Sequence, residues 1–177
     1  MIYKSEATEQ SAAMRAAELM TAAARTAPKA CGIDVTETLV LDGEDKCRLT
    51  AAMREIGKEA GLAFFIRDAD NVDACHCVVL IATAVSPRGL DCALCGVKDC
   101  AAAADGGIAC AMAVNDLGIA VGSAAATAMD HRIDNRVLYT AGMAALKLGL
   151  FPDQAKMCFG IGLATTGKNI FFDRPAV

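Results

Sequence analysis

The chain has 177 residues, 17 Lys and Arg against 21 Asp and Glu for a net charge of -4, 55% apolar residues, no Trp and nine Cys. That length buries a core without disulfide staples, and the mild acidity, with no Lys/Arg run, excludes the basic face that nucleic-acid binding needs. No stretch reads as a membrane span of about 20 apolar residues, the best one, Ala101 to Met129, being Ala/Gly-rich and interrupted by Asp105, Asn115 and Asp116.

Taken in chain order, the segment from Met1 to Glu9 lacks the apolar core of a signal peptide, which places the protein in the cytoplasm, where cysteines stay reduced. Helical spacing of Met14, Ala17 and Leu19 to Ala24 predicts a helix from about Thr8 to Arg25. It ends before Ala27-Pro28, because the residue before Pro avoids the α region. Val35 to Leu41, rich in β-branched residues and turned by Asp42-Gly43, predicts a strand. Leu49, Met53, Ile56 and Ala60 mark one face of a second helix, closed by Gly61. Residues 62–70 show no decisive period. Val78 to Ala82 is a short continuous apolar run, suited to a strand buried on both faces.

From Ser86 to Ala113 the pattern changes: Pro87, four Gly and four Cys appear, and apolar periodicity is lost apart from a short helical piece near Ala101 to Ala104. Residues 86–113 read as a cysteine-bearing insert. Asn115-Asp116 then caps a small-residue helix running to about Ala128. His131-Arg132-Ile133-Asp134 reads as a charged helix end. Leu138 to Leu148 gives another helix, closed by Gly149 and Pro152. Met157 to Ile161 is a last strand, and Asn169 to Phe172 an extended tail. Interleaved helices with few strands predict an α+β class: one domain over residues 1–177 around a small sheet, with the insert inside it.

The strongest chemical feature is Cys92-x2-Cys95-x4-Cys100-x9-Cys110. Four thiolates reachable from one loop can surround a tetrahedral iron or zinc centre, and Gly96, Gly106 and Gly107 let the backbone turn its N–H groups toward the sulfurs. Spacing leaves three readings open: an iron–sulfur centre, structural zinc, or buried unligated thiols. Among the other cysteines, Cys47 and Cys158 read as small core residues; Cys75 and Cys77, flanking His76, have the residue types of metal ligands or reactive thiols, but Cys-x-Cys at a strand entry reads first as a pair on its core face. Cys31 lies in a loop near Arg25 and Lys29, a setting that favours a reactive thiol.

Gly162 to Asn169 imitates a phosphate-binding loop, but Asn169 stands where a magnesium-binding Ser or Thr belongs, which excludes a nucleoside triphosphatase. The alternatives are a phosphate held by Lys168, backbone amides and Arg174, or a plain glycine turn between strands. Gly118-x3-Gly122 offers a close-packing surface on its helix. Two His and scattered carboxylates give no hydrolase constellation.

Four segments resemble one family. Asp91-Cys92-Ala93-Leu94-Cys95-Gly96 with Cys100, Asp116 to Ala124, Ile133-Asp134-Asn135-Arg136, and Thr166 to Arg174 together are similar, nearly end to end, to uncharacterised prokaryotic proteins containing a ferredoxin domain. That resemblance implies a 4Fe-4S cluster on Cys92, Cys95, Cys100 and Cys110. The Cys-x2-Cys-x4-Cys opening also resembles the cluster segments of electron-transport complex subunits and corrinoid iron–sulfur proteins, whose fourth Cys lies farther along the chain than Cys110 does here. A weaker similarity is to flavin-dependent nitroreductases: Ala22 to Pro28, Asp116-x-Gly118-Ile119-Ala120, and Leu148-Gly149-Leu150 with Gly160 to Gly162 and Arg174. It implies a nitroreductase-like domain of two or three layers, a homodimer, and FMN held through Lys168 and Arg174. Their basic N-terminal phosphate clamp is replaced here by Lys4-Ser5-Glu6.

The resulting expectation is a cytoplasmic electron-transfer protein carrying a 4Fe-4S cluster and passing electrons onward, with a bound flavin as one acceptor. Its partner would be a redox protein or a small-molecule electron donor, with no nucleic acid and no membrane. The alternatives are a zinc-stabilised, non-redox binding module and an FMN-dependent reductase of a small electrophile.

Overall fold

A computed structural model describes residues 1–172. Its centre is a four-stranded, wholly antiparallel sheet in the order β1-β2-β4-β3, formed by β1 (Thr36–Leu41), β2 (Cys77–Ala84), β3 (Asp134–Leu138) and β4 (Ala155–Ala164). Two helices, α1 (Ser5–Thr26) and α5 (Ala111–Asp130), cover one face. The other face carries α2 (Gly43–Ala60), α3 (Ala63–Ala74) and α6 (Tyr139–Lys147). A short α4 (Cys100–Asp105) lies in the long connection between β2 and α5.

The period-2 alternation of side chains divides the core into two. Val79, Ile81, Ile161 and Leu163 pack against Ala17 and Met20 of α1 and Leu117, Ala120 and Ala124 of α5. Their neighbours Val78, Leu80, Ala82 and Cys158 face Leu49 and Met53 of α2, Val72 of α3 and Ala141 and Ala145 of α6. The small side chains of α1 and α5 let these helices lie close to the sheet, and every residue of β2 is buried, as an apolar run covered by helices on both faces requires. On α6 the approach is closer still. A Cβ on Gly142 would stand 1.8 Å from the Cys158 carbonyl oxygen, so only glycine admits this helix onto β4.

Several elements differ from the expectation. Residues 62–70, undecided by period, belong to α3. The helix expected to start at Asn115-Asp116 begins at Ala111 with Cys110 at its N-cap, leaving Asp116 buried one turn inside it. His131 does close α5 as its C-cap, but Asp134, expected in the same helix end, already belongs to β3, whose polar Asp134-Asn135-Arg136 suits a sheet edge and hides it from apolar patterning. Residues 170–172 form a turn rather than an extended tail, because Asn169 Oδ1 accepts the Phe171 N–H at 3.1 Å and the Asn169 carbonyl that of Phe172 at 3.2 Å. Starting as early as Ala111, α5 becomes long and apolar enough by composition to cross a membrane, but Leu117, Ala120, Ala124 and Ala128 are spent on the core. Gly118 and Gly122 face outward, with nothing within 4 Å of where a Cβ would sit, so packing among the described residues does not use them.

Candidate metal centre

The connection from β2 to α5 is drawn shut at its neck, where the Cys110 N–H donates to the Val85 carbonyl at 2.9 Å. Beyond the neck the backbone turns left-handed at alternate residues, with φ of 75° at Gly89, 47° at Asp91 and 57° at Ala93, and again at Gly96 with 85°. Left-handed residues within a loop point successive amides into a concavity, the arrangement that holds anions and iron–sulfur clusters. Its cost at Asp91 and Ala93, which carry a Cβ, marks a segment whose shape is imposed by the surrounding structure.

Asp91 fastens the loop to α4. Its Oδ1 accepts the Cys100 N–H at 2.8 Å, and its own N–H donates to Cys100 Sγ at 3.4 Å. Asp99 caps α4 by accepting the Ala102 N–H at 2.8 Å. The result is a tight cavity of about 10 Å³ whose wall includes Cys92, Cys95, Cys100 and Cys110 together with Arg88 and Leu90. Cys92 is exposed, Cys95 and Cys100 are half-buried and Cys110 is buried, so the cavity opens on the Cys92 side. Among the described residues no three Cys, His, Asp or Glu side chains converge as a ready ligand set for a single metal ion. The donor chemistry nevertheless fits an iron–sulfur group: four soft sulfur ligands around one space, with amides aimed at two of the sulfurs.

Cys110 shows the electrostatics. Burial pushes its thiol up, but the amides of Ala113, Arg88 and Met112 and the Arg88 guanidinium outweigh that, holding the pKa below its ordinary value. Two of these amides belong to the first turn of α5, where the helix dipole favours negative charge. Arg88 itself is 4% exposed and pairs through Nε with Asp116 Oδ2 at 3.4 Å, and Asp116 is 3% exposed. The second carboxylate oxygen accepts the Ala30 N–H at 2.9 Å, and Arg88 Nη1 donates to the Ser86 carbonyl at 3.1 Å. Arg88 carries no signal in the sequence beyond being a lone Arg in an apolar, glycine-rich stretch.

The other cysteines separate by burial. Cys75, Cys77 and Cys158 are buried, which pushes each thiol up to about 12, but Cys75 and Cys77 do not share a strand face as expected: Cys77 opens β2, whereas Cys75 precedes it as the C-cap of α3 and packs in a separate cluster. Cys47 was expected in the core but is exposed, because it lies two residues before Leu49 and so on the opposite side of α2 from the core face. Cys31 is exposed at φ 57°, and its Sγ donates to the Arg88 carbonyl at 3.6 Å. The cations expected to activate it are engaged elsewhere: Arg25 Nη1 lies 2.7 Å from Asp34, and Lys29 Nζ donates to the carbonyls of Ala24, Arg25 and Ala27.

Lys168 lies on the exposed turn after β4, beside an open pocket of about 400 Å³ bounded by Glu9, Arg132, Asp134 and Thr165 to Gly167. Arg174, its expected companion, lies outside the described residues. Strand register sets this turn apart from the cysteine cavity. The insert leaves β2 at Ala84, opposite Ala155, whereas Lys168 follows the other end of β4, where Leu163 pairs with Cys77. Helix α5, 20 residues and so about 30 Å long, runs from the cavity at its start toward β3 and that far end.

Residues 106–174 match the family described as uncharacterized proteins containing a ferredoxin domain. An uncharacterized protein of Archaeoglobus fulgidus is 39% identical over 168 residues, which is 90% of this chain and 90% of that protein. A putative nitroreductase in complex with FMN from Desulfovibrio desulfuricans superposes with a TM-score of 0.59 at 14% identity, over 88% of this chain and 75% of that one. A nitroreductase with bound FMN from Desulfitobacterium hafniense gives a TM-score of 0.58 at 14% identity, over 100% and 84%. At this identity the likeness shows the fold, α+β and nitroreductase-like.

Proposed function

Because the chain belongs to the family of uncharacterized proteins containing a ferredoxin domain, we propose that it is a cytoplasmic electron-transfer protein holding a 4Fe-4S cluster on Cys92, Cys95, Cys100 and Cys110. The observation that carries this reading is the gathering of all four cysteines on one cavity, with peptide amides aimed at Cys100 and Cys110. When bound, the cluster supplies one-electron redox chemistry. The residues around it do the rest: Asp91 orients Cys100, the start of α5 and Arg88 favour the Cys110 thiolate, and Leu90 and Ala103 keep part of the wall dry. The open side at Cys92 is where a redox partner or small donor would approach, and the outward small-residue face of α5 is where a second copy of the chain would sit. Protein purified without oxygen is expected to be brown and to bleach with dithionite. Colourless protein holding stoichiometric zinc would replace this reading with a zinc-stabilised module.

The fold favours a second reading, FMN binding followed by reduction of a small electrophile. A flavin phosphate at Lys168 would lie at the other end of the sheet from the cysteines, so a flavin served by the cluster would have to bridge that length or use a neighbouring subunit. Flavin released by acid from a well-folded preparation tests it; none across repeated preparations rejects it.

A further inference from the structure

Resting on the iron–sulfur reading, we infer that the buried Arg88–Asp116 pair sets the reduction potential of the cysteine-held centre, its two charges acting with opposite sign. The pair is out of water, at 4% and 3% exposure, so solvent and salt do little to screen it. Arg88 is part of the cavity wall, whereas Asp116 stands behind it, tied to the Ala30 N–H at 2.9 Å. Stability alone is a poor reason to keep such a pair, since apolar side chains of the same volume commonly serve as well. Its position supplies another reason: the cation lines the cavity that holds the four cysteines, and its counter-charge does not.

The arginine side chain suits this geometry. One guanidinium reaches Asp116 through Nε at 3.4 Å and the Ser86 carbonyl through Nη1 at 3.1 Å, which fixes the charge in place, and it does not deprotonate. The backbone on either side of that side chain is committed as well: the Arg88 amide serves Cys110, and its carbonyl accepts from Cys31 Sγ at 3.6 Å. Arg88 and Asp116 are therefore positioning residues, since neither is a ligand.

Reduction brings one electron from a donor onto the centre, with no bond made or broken, and makes it more negative. The Arg88 charge favours that state and the Asp116 charge opposes it. The test is a spectroelectrochemical titration of the cluster-loaded protein. Asp116→Asn is expected to raise the potential and Arg88→Gln to lower it, each by about tenfold in the ratio of reduced to oxidised centre, about 59 mV for one electron. Arg88→Lys, which keeps the charge, is expected to stay near wild type. Opposite signs cannot come from simple loosening, which would admit water and move both variants the same way. If Arg88→Gln does not fold, the Asp116→Asn rise together with an unmoved Arg88→Lys still carries the inference. A loaded protein in which Asp116→Asn leaves the potential unchanged or lowers it overturns the pair's role alone, and a wild type with no cluster overturns both readings.

Discussion

Asp91 and Cys100 are held by two bonds of opposite direction: Asp91 Oδ1 accepts the Cys100 N–H at 2.8 Å and the Asp91 N–H donates to Cys100 Sγ at 3.4 Å. The left-handed backbone at Asp91, φ 47°, is what lets both form at once. Asp91→Ala removes the acceptor, worth about 1 kcal/mol, and strains the backbone, since Ala tolerates φ > 0 less well than Asp or Asn. Iron is expected to leave this variant several-fold faster on addition of a chelator, while Asp91→Asn stays close to wild type. Equal release from Asp91→Ala and wild type would show that the loop does not depend on this side chain.

Single Ser substitutions should sort the nine cysteines. Cys92→Ser, Cys95→Ser, Cys100→Ser and Cys110→Ser are each expected to lose most of the bound iron, measured per folded chain. Cys31→Ser and Cys47→Ser, both on exposed thiols that do not line the cavity, are expected to keep it. Full iron retention by Cys110→Ser would remove that residue from the ligand set.

Two glycines give opposite mutational signs. Gly142→Ala drives a methyl to 1.8 Å from the Cys158 carbonyl oxygen, and α6 must lift from β4, at a cost of about 3 kcal/mol or more. Gly118→Ala meets nothing within 4 Å and gains helix propensity, raising stability by about 0.5–1 kcal/mol. Denaturant titration measures both, and sedimentation of Gly118→Ala shows whether a second copy uses that face.

Acid should act through α2 and α3. Burial of Asp73 pushes its carboxyl up, but the Arg54 guanidinium at 2.6 Å and the Thr50 hydroxyl outweigh it and leave it below its ordinary value of 3.8. A depressed folded value means stability that is present above the unfolded carboxyl's value and is lost as pH falls through the folded one. Both partners are partly exposed, so the effect is small. Arg54→Met is expected to unfold more readily than wild type at pH 6, with the gap closing as pH falls below the ordinary carboxyl value of 3.8. A gap that persists at low pH would mean that Arg54 acts through packing.

Much of this architecture is legible in the sequence because it rests on local pattern. The unbroken apolar run Val78 to Ala82 lies within the central strand, and the Cys92 to Cys110 spacing within one loop puts all four thiols on one cavity. What escapes has a non-local cause. The Arg88–Asp116 pair joins residues 28 apart and exists only once the loop after β2 closes on α5. Polar Asp134 to Arg136 becomes a strand because β4 offers a free edge, and Gly142 looks like a weak helix residue until β4 is found beneath it. Cys47 shows the reverse error, an apolar residue type that the helix register turns outward.

The central claim is tested most directly by iron and acid-labile sulfide per chain in anaerobically purified protein. About four of each are expected, as a 4Fe-4S cluster on four thiolates requires. Near-zero sulfide in folded protein, with or without one equivalent of zinc, would contradict it.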